Sequence, residues 1–302
     1  MKNYLKKMRT SLNEFIYKYH SVFLMRVSRA PVNHLRRIYR RYRVLWGEKM
    51  GLSVPQDFTL KLEWLKYFDR NPLMVTCADK IKVKDYVAEI IGDEYITKTL
   101  QVYDNANDID FGELPSKFVL KTNNASSTNI IIKDKSKIDI PQIRKKLNKW
   151  LACRTFGKKE HEWHYLRIKP KILCEEFIDT PNGDDLSDFK IFCLNGIARF
   201  VWKDIGRYTT NKSRAIFDIN WKRIDMTLFT KNYDGEVPKP KNYEKMVKLA
   251  EKLSKPFKEV RIDFYNIDGK IYFGEMTFFS GDLIFYPRKY NKIWGAYLDL
   301  KK

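Results

Sequence analysis

The chain has 302 residues, 44% hydrophobic and 15% aromatic, enough for one large domain or two to three small ones and for a core that needs no cross-links. Its cysteines, Cys77, Cys153, Cys174 and Cys193, lie far apart without CxxC spacing, which speaks against a disulfide framework and for reduced cytosolic thiols; no run of about 18 apolar residues occurs, so no membrane span is expected. The balance of 58 Lys/Arg against 37 Asp/Glu gives a net charge of +21, which calls for an anionic partner.

Residues 1–50 read as a basic amphipathic helical arm. Leu5, Met8, Leu12, Phe15, Tyr19 and Val22 recur at helical spacing, Pro31 interrupts, and LRRIYRRYRVLW follows as a second basic helix. The apolar run is broken by Glu14, Lys18 and His20 and no small-residue cleavage site follows, so no signal peptide is expected. Its apolar stripe reads as packing surface, and Arg36, Arg37, Arg40, Arg41 and Arg43 as a contact for an anionic membrane face or polyanion.

From residue 51 the pattern turns globular. LEWLKYF is helical, Asn71-Pro72 is a break, and 77–91 reads as one helix with Val83, Tyr86, Val87, Ile90 and Ile91 apolar, closed by Gly92. A short strand and turn fall in 95–103. FVLK (118–121) and NIIIK (129–133) form a hairpin with NNASST at its tip, and a helix over 141–152 opens on Asp139 and Pro141. ILCEEFI (172–178) is a strand, FKIFCL and IARFVW form a hairpin about Asn195-Gly196, and Asn242 caps a helix to about 253. Hairpins dominate and no βαβ rhythm appears, so the fold class is α+β with mainly antiparallel sheets in two subdomains. His161 and His164 lack the further ligands a zinc site needs and read as exposed histidines. Arg199, Lys203, Arg207 and Arg214, after the central hairpin, are either a site for an anionic acceptor or a solvated sheet edge guarded against pairing; Ser280 is a further substrate candidate.

The last hairpin, VRIDFYNIDGKIYFGEMTFFSGD (260–282), places Arg261, Asp263 and Glu275 inside strands. A two-residue Asp268-Gly269 loop would pair 263 with 274 and separate the carboxylates. A three-residue Ile267-Asp268-Gly269 loop would pair 261 with 275 and gather all three charges on one face. Two adjacent carboxylates need a cation between them, and Mg²⁺ held with substrate phosphates suits; a solvated face with an Arg–Glu pair is the competing reading.

Taken in order, the motifs ADKIKVKDYV, IGDEYI, LPSKFVLKTNN, EEFID, DFKIFCLNG, DINW and VRIDFYNIDGKIYFGEMTF resemble, over roughly 58–300, the ATP-grasp superfamily and within it the TupA-like branch named for teichuronopeptide biosynthesis. The resemblance implies two α+β subdomains clasping ATP, with 51–115 a pre-grasp segment, 116–180 the first grasp subdomain and 181–302 the second. It implies ATP and Mg²⁺ as cofactors. Lys84 and Lys121 neutralise phosphates; Asn123, Ser126, Ser127 and Thr128 belong to the loop over them. Glu175, Glu176, Phe177 and Ile178 are the adenine hinge, and Asp188 takes the ribose. Asp263 and Glu275 hold the metal, with Thr277 where the superfamily has Asn, and Arg261, with Lys121, stabilises the transferring phosphoryl group. The NNASST loop departs from the family in lacking glycine, leaving small residues and hydroxyls as its means of meeting phosphate.

The activity implied is a carboxylate–amine ligation through an acyl-phosphate in cell-surface polysaccharide biosynthesis. Its expected partners are an anionic polymer or lipid-linked saccharide precursor and an amine such as an amino acid, and its expected place the cytoplasm or the inner membrane face, with residues 1–49 on the lipid. Rival readings are a kinase of a sugar hydroxyl on the same fold and a non-catalytic assembly factor. No nucleic acid is expected as a partner, because no zinc-finger, RNP-type or helix-turn-helix signature accompanies the charge.

Overall fold

The computed structural model describes residues 55–301, apart from 154–155, 159–160, 181–185, 187, 207–211, 227, 229 and 281–285, together with scattered positions between 36 and 47. The chain divides into two compact units, Met1–Pro55 and Gln56–Lys302. In the first, the described positions between 36 and 44 are helical. Ile38 and Tyr42, one turn apart, are buried, while Arg36, Arg40 and Arg43 are exposed. The rest of the arm, with Arg37 and Arg41, lies outside the described residues.

The second unit begins with helices α1 (Phe58–Phe68), α2 (Leu73–Ala78) and α3 (Val83–Ile91). The single helix expected over 77–91 is two, because Asp79 is extended, at φ −77° and ψ 112°, and its carboxylate accepts the Ile81 amide at 2.9 Å. Asp79 thereby competes with the helical ladder and starts a new helix.

Strands β1 (Thr99–Tyr103), β2 (Phe118–Thr122), β3 (Asn129–Ile132) and β4 (Ile172–Glu176) form an antiparallel sheet in the order β1-β4-β2-β3. The alternation of β2 sends Phe118, Leu120 and Thr122 inward. A core of Phe118, Leu120, Ile172 and Cys174 meets Ile143 and Leu147 of α4 (Ile140–Ala152). As expected, Asp139 caps α4, accepting the Gln142 amide at 2.9 Å. The opposite face carries Val119, Lys121 and Glu175, neighbours across β2 and β4. The 51–115 segment is therefore shared: β1 completes this sheet, whereas α1 packs with the last helix on the second one.

That second sheet has the order β10-β9-β5-β6-β7-β8, built from β5 (Phe189–Leu194), β6 (Ile197–Ile205), β7 (Ser213–Asp218), β8 (Lys231–Asn232), β9 (Glu259–Ile267) and β10 (Lys270–Thr277). It is antiparallel except for the short β7–β8 pair. The β5–β6 hairpin turns on Asn195 and Gly196, both at positive φ, as expected. Helix α5 (Tyr243–Ser254) covers one face with Met246, Leu249, Ala250 and Leu253. Asn242 precedes it but does not cap it; its side chain instead donates to the Gly269 carbonyl at 2.8 Å.

The other face is divided. Over Phe192 and Phe200 lie aromatic rings of α1 and of α6 (Arg288–Tyr297), Trp294 stacking on Phe200 at 3.7 Å and Phe58 meeting Phe200 edge-on at 6.2 Å. Beyond these rings the same face carries Lys190, Asp263 and Glu275 and looks across at the first sheet.

Candidate functional site

Between the two sheets lies a cleft of about 780 Å³, lined from the first sheet by Val119, Lys121, Ile131 and Glu175 and from the second by Asp188, Asp263 and Glu275. That volume suits a small-molecule or cofactor site, roughly 300–1,000 Å³.

The negative wall depends on register. Asp268 and Gly269 take φ of 49° and 94° and form a two-residue turn, with Ile267 opposite Lys270. The three-residue turn that would gather the charges is therefore not the one used, since Asp-Gly suits the tighter turn. A β-bulge between Phe273 and Glu275 supplies the missing residue and sets Glu275 opposite Asp263 and Thr277 opposite Arg261. Gly274 sits in the bulge, where a Cβ would come within 3.0 Å of the Asp263 carbonyl oxygen.

Arg261 ties this wall together. Its Nε donates to Asp263 Oδ1 at 2.5 Å and its Nη2 to Asp263 Oδ2 at 2.7 Å, Glu275 Oε1 at 3.0 Å and Thr277 Oγ1 at 3.0 Å, while Nη1 reaches Ser280 Oγ at 2.7 Å. Burial works against the guanidinium's charge, but Asp263 and Glu275 more than offset it and raise its pKa. Burial likewise opposes Glu275, yet Lys80, Arg261 and Lys190 hold its pKa below the usual carboxylate range. The Asp263 side chain is 2% exposed and that of Glu275 33%, so Glu275 offers the open edge to the cleft.

The positive wall is built differently. Glu175, buried, pairs with Lys84 at 2.6 Å and with Lys121. Burial alone would raise its pKa; the two lysines prevail and lower it. Lys84, expected at the phosphates, lies beneath Glu175 on the Thr97 carbonyl and the Thr99 hydroxyl, at 2.7 and 2.8 Å, and does not line the large cleft. Lys80, which sequence reasoning passed over, does line it and donates to the Ala125 carbonyl at 2.5 Å.

Asn123 is buried. Its amide donates to Asp79 at 3.0 Å and to the Lys169 carbonyl at 3.1 Å and accepts the Lys171 amide at 2.8 Å. It anchors the base of the NNASST loop rather than facing the cleft. Thr128 lines the cleft, but its hydroxyl bonds Thr122 Oγ1 at 2.6 Å. Ser126 and Ser127 are exposed at the tip, and Ser127 takes the left-handed conformation at φ 57°.

At the cleft mouth, Phe177 and Ile178 line the wall, while the Glu176 carboxylate accepts the Lys98 amide at 3.2 Å. Asp188 is buried and accepts from Lys190 at 2.6 Å. Lys190 also bonds Asp263 at 2.7 Å, and sequence reasoning missed it.

The basic set after the central hairpin does not converge. Arg214 pairs with Asp204 at 2.6 Å and lies 4.3 Å above Trp202; Lys203, on the opposite face, lies 3.7 Å above Phe189; Arg199 stacks on Tyr297 at 4.4 Å. Arg207 lies outside the described residues. His161 is exposed as expected, but His164 is fully buried among Trp163, Tyr165, Phe278 and Phe279. Burial drives its pKa down to about 3, so it is neutral.

Among the described residues no three His, Cys, Asp or Glu side chains form a metal cage by themselves. The donors on the negative wall are all oxygens, from two facing carboxylates and a hydroxyl, with lysines across the cleft. They suit a hard divalent ion whose remaining ligands come from phosphate.

Residues 60–299 match the family model described as TupA-like ATPgrasp. No protein of curated function matches the sequence. Among solved structures, the D-alanine–D-alanine ligase of Bacillus anthracis complexed with ATP shares 14% identity over 68% of this chain and 55% of its own, with a TM-score of 0.39. The D-alanine–D-alanine ligase of Helicobacter pylori shares 15% over 81% of this chain and 70% of its own, with a TM-score of 0.40. The phosphoribosylamine–glycine ligase of Thermotoga maritima shares 12% over 68% and 48%, also at 0.40. The overlap thus spans about half the length of the first and third of these chains.

Proposed function

The chain belongs to the TupA-like ATP-grasp family, and from that premise we propose that it is an ATP-dependent carboxylate–amine ligase. The observation that carries the reading is the Asp263–Glu275 pair, brought face to face by the Gly274 bulge, gripped by Arg261 and set across a cleft from Lys121 and Lys80. When bound, magnesium–ATP supplies the γ-phosphoryl group and a Lewis acid for it. Lys121 and Lys80 would offset charge on the phosphates, and Asp263, Glu275 and Thr277 would hold the metal. Arg261 directs its guanidinium at charge that grows during transfer. Val119, Ile131, Phe177 and Ile178 would give the base apolar walls, and Asp188, which also lines the cleft, would take the ribose.

A substrate carboxylate oxygen attacks the γ-phosphorus and ADP departs. An amine nitrogen then attacks the acyl carbon, the bond from that carbon to the phosphate oxygen breaks with its electron pair leaving on phosphate, and the nitrogen gives up a proton, so that an amide remains. Positioning and fixed charge do most of this work. The carboxylate is proposed to belong to an anionic cell-surface polymer or lipid-linked saccharide precursor, and the amine to an amino acid. A net charge of +21 supports an anionic acceptor, since a basic surface steers such partners. The exposed Arg36, Arg40 and Arg43 support a contact of the arm with an anionic membrane face. Among the described residues no helix is long and apolar enough to cross a membrane.

The test is calorimetric titration with ATP and Mg²⁺ of the native protein and of D263N/E275Q, followed by ADP release with uronic acids and amino acids. Binding lost in the double variant, and ADP release requiring both carboxylate and amine, supports the ligase. ADP release with a sugar hydroxyl alone makes it a kinase. Equal binding by both proteins removes the hairpin from the nucleotide site.

A further inference from the structure

Lys190 sits in β5, a strand buried at every position. Its ammonium lies 2.6 Å from Asp188 Oδ2 and 2.7 Å from Asp263 Oδ2, and the three side chains are 6%, 2% and 2% exposed. Arg261 holds the same Asp263 at 2.5 and 2.7 Å. Both oxygens of Asp263 are therefore engaged by cations, and Glu275 is left with the exposed edge. A divalent ion approaching Asp263 meets two fixed positive charges in a site of low dielectric, where repulsion is strong. Without Lys190, conversely, Asp188 and Asp263 would be two neighbouring buried carboxylates that lose the one ammonium bonded to both, a loss that burial penalises heavily. Lysine suits the task in a way arginine does not. It is a point charge on a flexible stem, able to keep Asp188 while leaving Asp263, whereas a guanidinium fork is fixed by its geometry.

We propose that Lys190 is a built-in counter-cation that stands in for the divalent ion at Asp263 and withdraws only when a nucleotide polyphosphate enters, so that metal and nucleotide bind as a unit. The inference rests on the reading of the cleft as a magnesium–nucleotide site. Phosphate oxygens give the ammonium a new partner and the metal its missing ligands in the same event. Lys190 is on this account a positioning residue for the metal, and its removal uncovers a metal site that no longer needs nucleotide.

The experiment uses the full-length protein with Mn²⁺ as probe, following free Mn²⁺ by electron paramagnetic resonance with and without a non-hydrolysable ATP analogue, for native protein, K190M and K190R. The native protein is expected to take up Mn²⁺ only with the analogue, and K190R, whose fork stays on Asp263, to take up less than native even then. K190M is expected to bind Mn²⁺ alone at least about tenfold more tightly than native, one pKa-unit's worth of interaction, and Mn²⁺ is expected to raise its unfolding midpoint. Where K190M does not fold, D188N/K190M restores the charge balance and takes its place. Native protein that binds Mn²⁺ without nucleotide as well as K190M does, or a folded K190M or D188N/K190M as silent as native, overturns the proposal. Native protein silent even with the analogue, beside a K190M that binds Mn²⁺ alone, refutes the nucleotide reading and leaves the counter-cation standing.

Discussion

The two walls of the cleft carry opposite charge balances. At the first sheet, Lys121 of β2, Lys84 of α3 and Lys80 just before that helix face one carboxylate, Glu175. On the second, Asp188, Asp263 and Glu275 share Lys190 and Arg261. Excess positive charge thus faces excess negative charge across the gap. A ligand that is anionic on one side and carries a cation on the other completes both. The difference also shows how each wall is held. The positive one hangs on side-chain anchors such as Asn123 and Glu175, the negative one on strand register and a bulge.

The largest way to break this contrast is to remove the centre of the negative wall. R261M is expected to lower turnover by about 10²–10³, the scale of losing a charge aimed at a developing oxyanion. Nucleotide is expected to bind still through the opposite wall, so single-turnover kinetics beside a fluorescent-nucleotide titration separates the two effects. Equal losses in binding and turnover would mean that Arg261 holds ground-state phosphate.

The next test sets one buried carboxyl of each sheet against the other. Glu175 is held below its ordinary pKa by Lys121 and Lys84 against the pull of burial. Its stabilising contribution is present above the unfolded value near 4.5 and is lost as pH falls through the depressed folded value. Glu259, at the start of β9, is the reverse case. It is 1% exposed, accepts the Phe279 amide at 2.7 Å, and is pushed by burial up to about 8. Lys66 and Arg261 face it and moderate the shift. The folded state then holds a proton that the unfolded state releases, so stability declines as pH rises from about 4.5 to about 8. Melting curves across pH are expected to lose their acid limb in E175Q, at a cost of about 3–5 kcal/mol for stranding the lysines. In E259Q they are expected to flatten between those limits, by up to ~1 kcal/mol per pH unit. A native protein equally stable from pH 5 to pH 8 would place Glu259 among ionised groups.

Register offers a smaller lever. G274A brings a methyl group to 3.0 Å from the Asp263 carbonyl oxygen, and a strained bulge costs about 1–3 kcal/mol. If the bulge is what opposes Glu275 to Asp263, Mg²⁺-dependent affinity falls more than metal-free nucleotide affinity. An even decline in both would make the glycine a matter of packing alone.

Much of this was legible in the sequence. Alternation along 260–265 placed Arg261 with Asp263, and the order of motifs identified the fold. The register was not legible, because Asp-Gly argued for a tight turn while the carboxylates argued for a longer one. The reconciling feature was Gly274, a glycine inside a strand, which is the signal for a bulge. Lys80 and Lys190 were hidden by abundance: among 58 basic residues, a lysine that matters looks like any other until burial singles it out. His164 is a related case, since a histidine between Trp163 and Tyr165 in a Lys- and Glu-rich stretch does not reveal that the fold closes those rings, with Phe278 and Phe279, around it. Arg199, Lys203 and Arg214 are close in sequence, yet strand alternation and the bulge at β5–β6 sent them to different surroundings.

The smallest expected effect concerns the NNASST loop, which contains no glycine. Only Ser127 in NNASST takes a positive φ, at 57°, so the loop asks for glycine at one position. S127G relieves left-handed strain of roughly 1–2 kcal/mol and adds backbone entropy to the unfolded chain worth about 0.5–1 kcal/mol. The two nearly cancel, so the unfolding free energy is expected to move by under ~1 kcal/mol. Nucleotide affinity then reads the loop's chemistry directly. If small side chains and backbone amides suffice to meet phosphate, S127G leaves affinity within about threefold, well under the ~1.4 kcal/mol of a tenfold change. If the Ser127 hydroxyl is itself a donor, S127G and S127A both weaken binding while S127T preserves it. That outcome would show how the positive wall meets phosphate with no glycine in its loop.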